Sequence, residues 1–459
     1  MTGKSAYVVR HVIAQHLAKN FCLFVYDFKF PDLSIIAYNH TLKNFDKYEV
    51  KPKFCVINFD DLSRSHRCNL ISPETMHDIT DATESSRSIM LGLNRSWVQK
   101  IGDFWVESPI NFITALIWFL KKYKGGKYCT LPHVIELGQT KYDELFPTLM
   151  MDSDLEVLIN PFWSAYENSA FEQLEGQIAS AKIGLARLSS PGLYYVLSGN
   201  DFTLDLNNPK SPKVVCVGNN PGKTQIYGAV ISLCIERMIK LVNRKGQLKS
   251  SLIFDEFPTV YAGGIPQLIA VARGNRVCTT IAVQDLSQLR ADYGREQAEV
   301  IMNVCGNVIA GQVLGDTAKL ISDRVGRIMQ ERESLSINSS ETSISKSSQL
   351  EAAIPPSRIS SLSSGEFVGA VADDPMQQIK YKAFHCRIVN DFDAIQKEEA
   401  GYKEIPVIRK VTSDEVNENY YRIKREVKAI IAEELNRIGG RGRPAPRGEQ
   451  EGDIKPESF

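Results

Sequence analysis

The spacing of apolar residues near the start of the chain predicts a helix followed by buried strands. In residues 6–19 the apolar positions recur every three or four residues, which places them on one face of a helix. Two uninterrupted apolar runs follow, FCLFVY over 21–26 and FCVINF over 54–59. Runs of this length are typical of strands that are buried on both faces. The pattern predicts an α/β fold with a mostly parallel sheet and flanking helices.

The apolar spacing changes to a helical one between residues 74 and 190. Strand-like alternation is nearly absent there, so we expect an all-helical domain inserted into the α/β fold. Four segments show the helical spacing: 84–101, 108–123, 131–138 and 165–188.

Strand-like runs return in the second half of the chain. Four of them are predicted as strands, over 213–217, 252–254, 278–283 and 308–313, with a helix over 224–242. The serine- and glutamate-rich residues 331–350 predict a surface loop, and 366–369 resembles a strand. The predicted organisation is a motor domain over 1–73 and 191–400, the all-helical insertion over 74–190, and a C-terminal helix with a disordered tail over 401–459.

Composition adds few restrictions. Lysine and arginine number 54, as do aspartate and glutamate, so no overall charge indicates nucleic acid or membrane, although a basic patch can exist in a neutral total. The nine cysteines and seven histidines form no ligand pattern, which suits a reducing cytoplasm. The most apolar stretch, 110–120, is too short to span a bilayer and predicts a buried helix.

The first chemical motif is Gly3-Lys4-Ser5, directly before the first predicted helix. It matches the end of the P-loop, G-x-x-x-x-G-K-[ST], whose backbone N–H groups surround phosphates and whose lysine reaches the terminal ones. Only Met1 and Thr2 precede it, so the first glycine and its leading strand are not in the sequence. The triplet gains weight only if the rest of an ATPase follows in order.

The second motif is the apolar run 252–254 ending in Asp255 and Glu256. This is a Walker B arrangement, in which the first carboxylate holds Mg²⁺ and the second polarises the attacking water. The plainer alternative is a strand that ends in two solvated acids.

Two further polar residues belong to the next predicted strand. Gln284 follows the run 279–283, and an amide there can sense the γ-phosphate; the alternative is a turn-forming glutamine. Arg273 lies eleven residues earlier and can act as an arginine finger on a neighbouring subunit, or simply be a surface arginine.

A second lysine motif, Gly218 to Thr224 (GNNPGKT), resembles a P-loop superficially. Its spacing is one residue short, because Val217 stands where the first glycine belongs. Pro221 also removes an N–H donor that a phosphate loop would use. We therefore interpret it as a strand-to-helix turn, with a phosphate site as the alternative.

In this order the parts resemble the TraG/TraD-type coupling proteins of conjugation and type IV secretion, most of all the Bacteroidetes mobilisation form often called MobC. The resemblance covers about residues 3–400 and is specific in combination. Supporting stretches are YDFKFPDLSIIAYN (26–39), FDDLSRSHRCNLISP (59–73), YCTLPHVIELG (128–138) and SSLSSGEFVGAVADDP (360–375).

The resemblance implies a RecA-like P-loop motor domain with an inserted all-α domain, using ATP and Mg²⁺. The implied roles are Gly3 and Lys4 on the phosphates, Ser5 and Asp255 on Mg²⁺, Glu256 as catalytic base, Gln284 as sensor and Arg273 as trans-acting finger. Asp27 and Lys29 match the family's D-x-K strand end and are expected among the nucleotide-binding residues, as is Ser5.

The resemblance further implies an ATP-driven DNA or nucleoprotein translocation motor that serves as coupling protein in conjugative transfer. The implied partners are DNA, a relaxase or relaxosome, the type IV secretion channel, and five further copies of the chain in a homohexamer. The DNA is expected to be single-stranded and to be bound without sequence preference. Family members begin with membrane spans, so the full-length form is expected at the cytoplasmic face of the inner membrane and the chain as given in the cytoplasm. The alternatives are an FtsK/HerA-type double-strand DNA pump and a hydrolysis-dead fragment whose helical domain is a substrate receptor.

Overall fold

Five parallel strands form the central sheet of the protein. The computed structural model describes residues 3–337, 342–373, 378–380 and 382–440. The strands of the sheet are β1 (Cys22–Asp27), β2 (Lys53–Ile57), β3 (Lys213–Gly218), β4 (Ser250–Phe254) and β5 (Val277–Ile281). They lie in the order β2-β3-β1-β4-β5, and every neighbouring pair is parallel. The predicted α/β class is confirmed.

The remaining strands form two smaller antiparallel sheets, and helices make up most of the rest. The strands are β6 (Val308–Ala310), β7 (Arg327–Ile337), β8 (Thr342–Ala352), β9 (Glu366–Ala370) and β10 (Ala383–Arg387). The α-helices are α1 (Arg10–Ala18), α2 (Asp32–Lys43), α3 (Ile79–Leu93), α4 (Phe104–Lys122), α5 (Leu131–Gly138), α6 (Tyr142–Leu149), α7 (Ser153–Glu167), α8 (Phe171–Ala186), α9 (Pro191–Leu197), α10 (Thr224–Val242), α11 (Ile265–Val271), α12 (Leu286–Tyr293), α13 (Arg295–Val304), α14 (Gly315–Val325), α15 (Pro356–Ser360), α16 (Phe392–Ala400) and α17 (Ser413–Gly440). A π-helical segment, Ser5–Val9, leads directly into α1.

Helices cover both faces of the central sheet, which explains the unbroken apolar runs of its strands. On one face, Leu23 and Val25 of β1 belong to a cluster with Ile13 of α1. On the other face, Phe24 and Tyr26 belong to a larger core that includes α10. A strand with both faces buried needs apolar residues at successive positions rather than at alternate ones.

Seven helices, α3 to α9, lie between β2 and β3 along the chain. They share one continuous apolar core with α10. The axes of α3 and α10 approach closely at Gly92, where an added Cβ would lie 2.8 Å from the Cα of Ala229. The apolar residues of the stretch 110–120 are buried in α4, so the prediction of a buried helix there is confirmed. Among the described residues, no helix is long and apolar enough to cross a membrane.

The C-terminal helix α17 packs against α5, α6 and α9. Its residues Ile423, Val427 and Ile430 are buried in the same core as the inserted helices. The helix predicted at this end of the chain therefore forms part of the helical layer. The predicted disordered tail falls on residues 441–459, outside the described residues.

The first helical segment is held by elements from the other end of the chain. Arg10 pairs with Glu399 of α16. The Nδ2 of Asn390 donates to the carbonyl of Ala6 over 3.2 Å, and the ring of Tyr7 lies 5.7 Å from that of Phe392. These contacts fix the segment that follows Lys4.

The prediction of a surface loop over residues 331–350 is wrong. Strands β7 and β8 pair antiparallel, from Arg327 opposite Ala352 to Ile337 opposite Thr342. Their pairing uses backbone hydrogen bonds, which do not require apolar side chains, so a polar composition did not exclude strands. The strands predicted near 308 and 366 are present as β6 and β9, which pair antiparallel in the sheet β10-β9-β6.

Candidate functional site

The carboxyl ends of β1, β4 and β5 meet at one edge of the central sheet, as parallel pairing requires. The backbone N–H of Asp255, one residue beyond β4, donates to the carbonyl of Tyr26 in β1 over 3.1 Å. Glu256 follows directly, and Gln284 lies three residues beyond the end of β5. The sequence-predicted acids and the sensor amide therefore start from the same edge.

Lys4 reaches this edge from the first helical segment. Its Nζ donates to Oε1 of Glu256 over 2.5 Å and lies 3.8 Å from Oδ1 of Asp255. The Nε2 of Gln284 donates to the same oxygen of Glu256 over 3.1 Å. Four residues predicted from separate parts of the sequence thus form one connected polar cluster.

Glu256 has an unusual backbone conformation. Its φ of 48° and ψ of 52° lie in the left-handed region, where a residue other than glycine costs about 1–3 kcal/mol. Thr259 compensates by donating to the carbonyl of Glu256 through both its backbone N–H (2.9 Å) and its Oγ1 (2.6 Å). Strain of this kind is concentrated at functional sites, and here it aims the carboxylate at Lys4 and Gln284.

Asp255 is buried, with only 6% of its surface exposed. Burial raises the pKa of its carboxyl group, and the nearby Lys4 opposes that shift. Among the described residues, Oδ1 accepts no hydrogen bond. A buried carboxylate oxygen that accepts no hydrogen bond is a suitable Mg²⁺ ligand, so the donor at this position fits the implied metal. The described residues contain no cluster of three or more histidine, cysteine or acidic side chains that could hold a metal ion.

Asp27 lies at the end of β1 and is fully buried. Its Oδ2 accepts hydrogen bonds from the backbone N–H of Leu33 (3.0 Å) and from the N–H and Oγ of Ser34 (both 2.8 Å). Burial raises the pKa of this carboxyl to about 7, and the hydrogen bonds from Ser34 act against that rise. The contacts of Asp27 thus hold the first turn of α2, and its predicted part in nucleotide binding stays a prediction.

The other residues predicted to bind the nucleotide or Mg²⁺ lie around the cluster. Lys29 is exposed on the turn between β1 and α2, and its charge lowers the pKa of Asp255, although less than Lys4 does. Gly3 and Ser5 flank Lys4 and are half-buried. Their roles, like that of Lys29, stay predictions.

A chain of hydrogen bonds behind Glu256 was not foreseen from the sequence. Asn219 donates from Nδ2 to the hydroxyl of Tyr26 over 2.7 Å, and that hydroxyl lies 2.6 Å from Oγ1 of Thr259. Since Thr259 donates to the carbonyl of Glu256, the Tyr26 hydroxyl donates to Thr259. The only sequence signal was the position of Tyr26 and Asn219 at strand ends. The chain braces the strained residue from two neighbouring strands.

The second lysine motif makes contacts of its own. Lys223 Nζ lies 2.6 Å from Oδ1 of Asp60, and Asn220 donates to the other oxygen of that carboxylate over 2.8 Å. Burial tends to raise the pKa of Asp60, but hydrogen bonds from Lys223, Asn220 and Tyr227 hold it below its ordinary value. The motif joins β3 to α10 as a turn, in line with the first of the two interpretations.

Arg273 is not brought to this cluster. It lies on the turn Ala272–Asn275 before the amino end of β5, at the opposite edge of the sheet from Gln284. Its side chain is exposed and has no partner among the described residues. Within one subunit it cannot serve the site that Lys4 and Glu256 form.

Comparisons with known proteins match this chain to one family model and to solved structures. Residues 250–364 match the family model TraG-D_C, described as the TraM recognition site of TraD and TraG. The predicted resemblance to TraG/TraD-type coupling proteins is confirmed. The matched region begins at β4 and includes Asp255, Glu256 and Gln284. A comparison with curated protein sequences gives no match.

Solved structures of the bacterial conjugative coupling protein TrwB share the fold. An unbound monoclinic form of TrwBdeltaN70 is 14% identical, with 85% of this chain and 83% of that chain covered and a TM-score of 0.65. TrwB with the ATP analogue ADPNP is 13% identical, with coverage of 84% and 83% and a TM-score of 0.62. TrwB with ADP and Mg²⁺ is 13% identical, with coverage of 82% and 86% and a TM-score of 0.56. The predicted RecA-like P-loop fold with an additional helical domain is confirmed.

Proposed function

We propose that this chain is an ATP-driven motor that moves DNA or nucleoprotein and acts as a coupling protein in conjugative transfer. One observation carries the proposal: Lys4, Asp255, Glu256 and Gln284 converge at the carboxyl edge of a parallel sheet. P-loop ATPases need this set, because the reaction depends on positioning and charge stabilisation around the γ-phosphate. The nucleotide complexes of TrwB support nucleotide binding on this fold.

Each side chain has a proposed task. When ATP binds, Lys4 would leave Glu256 and contact the β- and γ-phosphates, which Gly3 also contacts. Glu256, released from Lys4, accepts a proton from the attacking water. Gln284 keeps its place beside Glu256 and orients that water or contacts the γ-phosphate. Lys29 adds a second cation on the same edge, 25 residues along the chain from Lys4.

Asp255 and Ser5 are the residues proposed to hold Mg²⁺. Oδ1 of Asp255, which is buried and accepts no hydrogen bond among the described residues, and the hydroxyl of Ser5 are oxygen donors of the kind that Mg²⁺ prefers, and water and phosphate oxygens would supply the others. The ion would neutralise the charge of the β- and γ-phosphates during transfer.

The proposed assembly is a homohexamer in which Arg273 of one copy reaches the nucleotide of the next. The position of Arg273 at the edge opposite Glu256 supports this division, because a head-to-tail ring joins unlike surfaces. DNA, a relaxosome and a type IV secretion channel are the proposed partners. The family model's description as a TraM recognition site supports a relaxosome component among them.

Nucleotide binding and turnover of site variants test the motor. We expect Glu256→Gln to bind ATP and Mg²⁺ but to lose hydrolysis, because the base is gone and the metal ligand remains. Lys4→Ala is expected to lose binding. Lys223→Ala is the matched control, since it removes a lysine from the other GKT-like motif, and its turnover should stay within a few-fold of the original.

Two outcomes would overturn the proposal. Normal hydrolysis by Glu256→Gln would show that Glu256 is not the catalytic base. Loss of turnover in Lys223→Ala, but not in Lys4→Ala, would show that the phosphate site lies at the motif of Lys223. Binding without turnover in the unmodified chain would favour the substrate receptor. Stimulation of hydrolysis by duplex DNA but not by single strands would favour the FtsK/HerA-type pump.

A further inference from the structure

The amino ends of β1, β4 and β5 carry a concentration of positive charge. The loop 243–249 before β4 holds three cations and the turn 273–276 before β5 holds two, and neither segment contains an acidic residue. Lys19 adds another just before β1. The whole chain has 54 positive and 54 negative residues, so these segments hold a local excess of positive charge.

Hydrogen bonds join these segments into one surface. The backbone N–H of Cys22 donates to the carbonyl of Lys249 over 3.0 Å, and that of Ser250 donates to the carbonyl of Arg276 over 3.0 Å. Asn275 Nδ2 donates to the side chain of Asn243 over 2.6 Å. We name Lys19, Arg244, Lys245, Lys249 and Arg276 the amino-edge patch.

The cations of the amino-edge patch are open to a ligand. Lys249 is half-buried and the other four are exposed. In the part of the chain that the structure describes, none of the five forms an ion pair. Arg276 is moreover held in the left-handed region, at φ 57°, by its place at the end of the turn Ala272–Asn275. Like charges that repel one another and lack acidic partners are the electrostatic footprint of a polyanion site.

We infer that the amino-edge patch binds the phosphate backbone of nucleic acid. Neighbouring strands lie about 4.8 Å apart, so the amino ends of β1, β4 and β5 span about 10 Å before their side chains extend further. An array of that width suits a run of several phosphates rather than one small anion. The contacts are to the backbone, so binding is expected without sequence preference.

An anionic membrane surface fits the patch less well. Peripheral membrane contact uses apolar side chains that enter the lipid beside the cations. The exposed apolar side chain of loop 243–249 is Leu248, which is 37% exposed. The ring of Phe21 is covered by Lys249, whose Nζ lies 5.1 Å from the ring centre, and is stacked on His16.

The location links nucleic acid to the nucleotide site, and this link rests on the proposed function. Strand β4 lies between Lys249 and Asp255, and β5 follows Arg276 and ends three residues before Gln284. A displacement at the amino ends of these two strands, which pair with each other along their length, would therefore be transmitted over five residues to the proposed metal ligand and sensor. Arg273 is left out of the patch, because the proposed ring assigns it to the neighbouring nucleotide. Arg276 follows the same turn and would lie near that subunit boundary, so the variant that tests the patch changes only the three cations of loop 243–249.

A charge-neutralised triple variant tests the patch. Binding of the full chain to a fluorescently labelled single-stranded 30-mer is measured by anisotropy over a series of salt concentrations. We expect Arg244→Gln/Lys245→Gln/Lys249→Gln to bind about tenfold or more weakly at low salt. The slope of log affinity against log salt should become shallower by about 2, because each lost phosphate contact on a single strand contributes about 0.7.

A matched control separates the patch from net charge. Lys141, Lys410 and Lys428 are exposed lysines without an ion pair among the described residues, so Lys141→Gln/Lys410→Gln/Lys428→Gln makes the same change in charge. An equal loss in both triple variants, or no binding by the unmodified chain, would overturn the inference. So would an unchanged DNA affinity in the patch variant combined with lost sedimentation on phosphatidylserine vesicles.

Failure of the motor is distinguishable from failure of the patch. Glu256→Gln should keep the DNA affinity and salt slope of the unmodified chain. If this chain hydrolyses no ATP while the patch variant still loses DNA affinity, the proposed motor fails and the nucleic-acid surface stands. If hydrolysis follows the expectations above while the patch variant binds DNA normally, the surface is refuted and the motor stands.

Discussion

Lys4 and Glu256 form a direct ion pair of 2.5 Å across 252 residues of sequence. Both partners are largely buried, so each charge relies on the other in place of water. A phosphate that binds Lys4 must therefore displace Glu256 from it. In the proposed motor, nucleotide binding would therefore release the proposed base, Glu256, from Lys4.

Removing the negative partner should favour the exchange. We expect Glu256→Gln to bind a non-hydrolysable ATP analogue about tenfold more tightly than the unmodified chain, because Lys4 no longer leaves a carboxylate. Calorimetric titration with Mg²⁺ present measures the affinity. Asp60→Asn removes a carboxylate from the same edge without touching Lys4, and should change the affinity much less. Equal gains in both variants would mean that overall charge, not the ion pair, controls binding.

Gln284 should influence turnover more than binding. Its Nε2 donates to Oε1 of Glu256 over 3.1 Å, and its side chain makes no other hydrogen bond among the described residues. We expect Gln284→Ala to lower the hydrolysis rate by about 10-fold or more, which is on the order of what a positioned group contributes to proton transfer. The nucleotide affinity should change by less than about 3-fold. Steady-state hydrolysis and equilibrium titration separate the two effects. Gln267→Ala, an exposed glutamine on α11, should alter neither.

Asp27 should make the protein less stable as the pH rises from about 4 to about 7. Its pKa is about 7 in the folded chain against an ordinary 3.8, so over this interval the folded state holds a proton that the unfolded state has released. Stability falls with rising pH wherever the folded state binds more protons. The total loss is roughly 2–4 kcal/mol, at 1.36 kcal/mol for each unit of pKa.

Denaturant unfolding at several pH values tests this expectation. Asp27→Asn cannot lose a proton, and its amide oxygen can still accept from Leu33 and Ser34, so its stability should fall less over the same interval. Asp393→Asn, on the exposed first turn of α16, should follow the unmodified chain. An Asp27→Asn curve parallel to the original would show that another group causes the dependence.

Arg273 should act across a subunit boundary. Each of Arg273→Ala and Glu256→Gln is expected to be inactive alone, and an arginine finger is worth about 10³-fold or more in rate. Mixed rings place an intact Arg273 beside an intact Glu256 at some interfaces and should recover part of the hydrolysis. If hybrid rings form and stay inactive, Arg273 acts within its own subunit or has only a structural role, and the proposed finger is wrong.

The close crossing of α3 and α10 should tolerate no side chain at Gly92. A Cβ there would meet the backbone of Ala229 at 2.8 Å, so Gly92→Val should lower the free energy of unfolding by about 1–3 kcal/mol. Gly274→Ala is the control, since nothing lies within 4 Å of an added Cβ there. Equal unfolding free energies for Gly92→Val and the unmodified chain would show that the two helices can separate without cost.

The sequence was informative where a periodic pattern and a chemical motif coincided. The buried strands could be predicted because short unbroken apolar runs such as 21–26 and 252–254 are typical of strands with both faces buried. The acids Asp255 and Glu256 could be predicted as site residues because they directly follow such a run. The pairing order was not readable, because parallel neighbours are chosen by long-range packing. The hairpin of β7 and β8 was missed because its stability lies in backbone pairing, which leaves no apolar signature.

Other parts of the site depend on contacts that a linear pattern cannot express. The left-handed conformation of Glu256 follows from its hydrogen bonds to Thr259, and the bracing chain through Tyr26 and Asn219 joins three separate segments. The capping of α2 by Asp27 was hidden for the same reason. Spacing predicted which residues lie at the strand ends, and only tertiary packing decides what each of them contacts.

The position of β1 in the sheet has a consequence for how the chain is made. Both neighbours of β1, the strands β3 and β4, are encoded after residue 212, so roughly 190 residues must leave the ribosome before the central strand has any partner. At about 5–20 residues per second this delay lasts about ten seconds or more. During that time β1 is an apolar strand with two unpaired edges, and it can pair wrongly with other segments. A chaperone that binds exposed apolar segments is therefore expected to protect this strand.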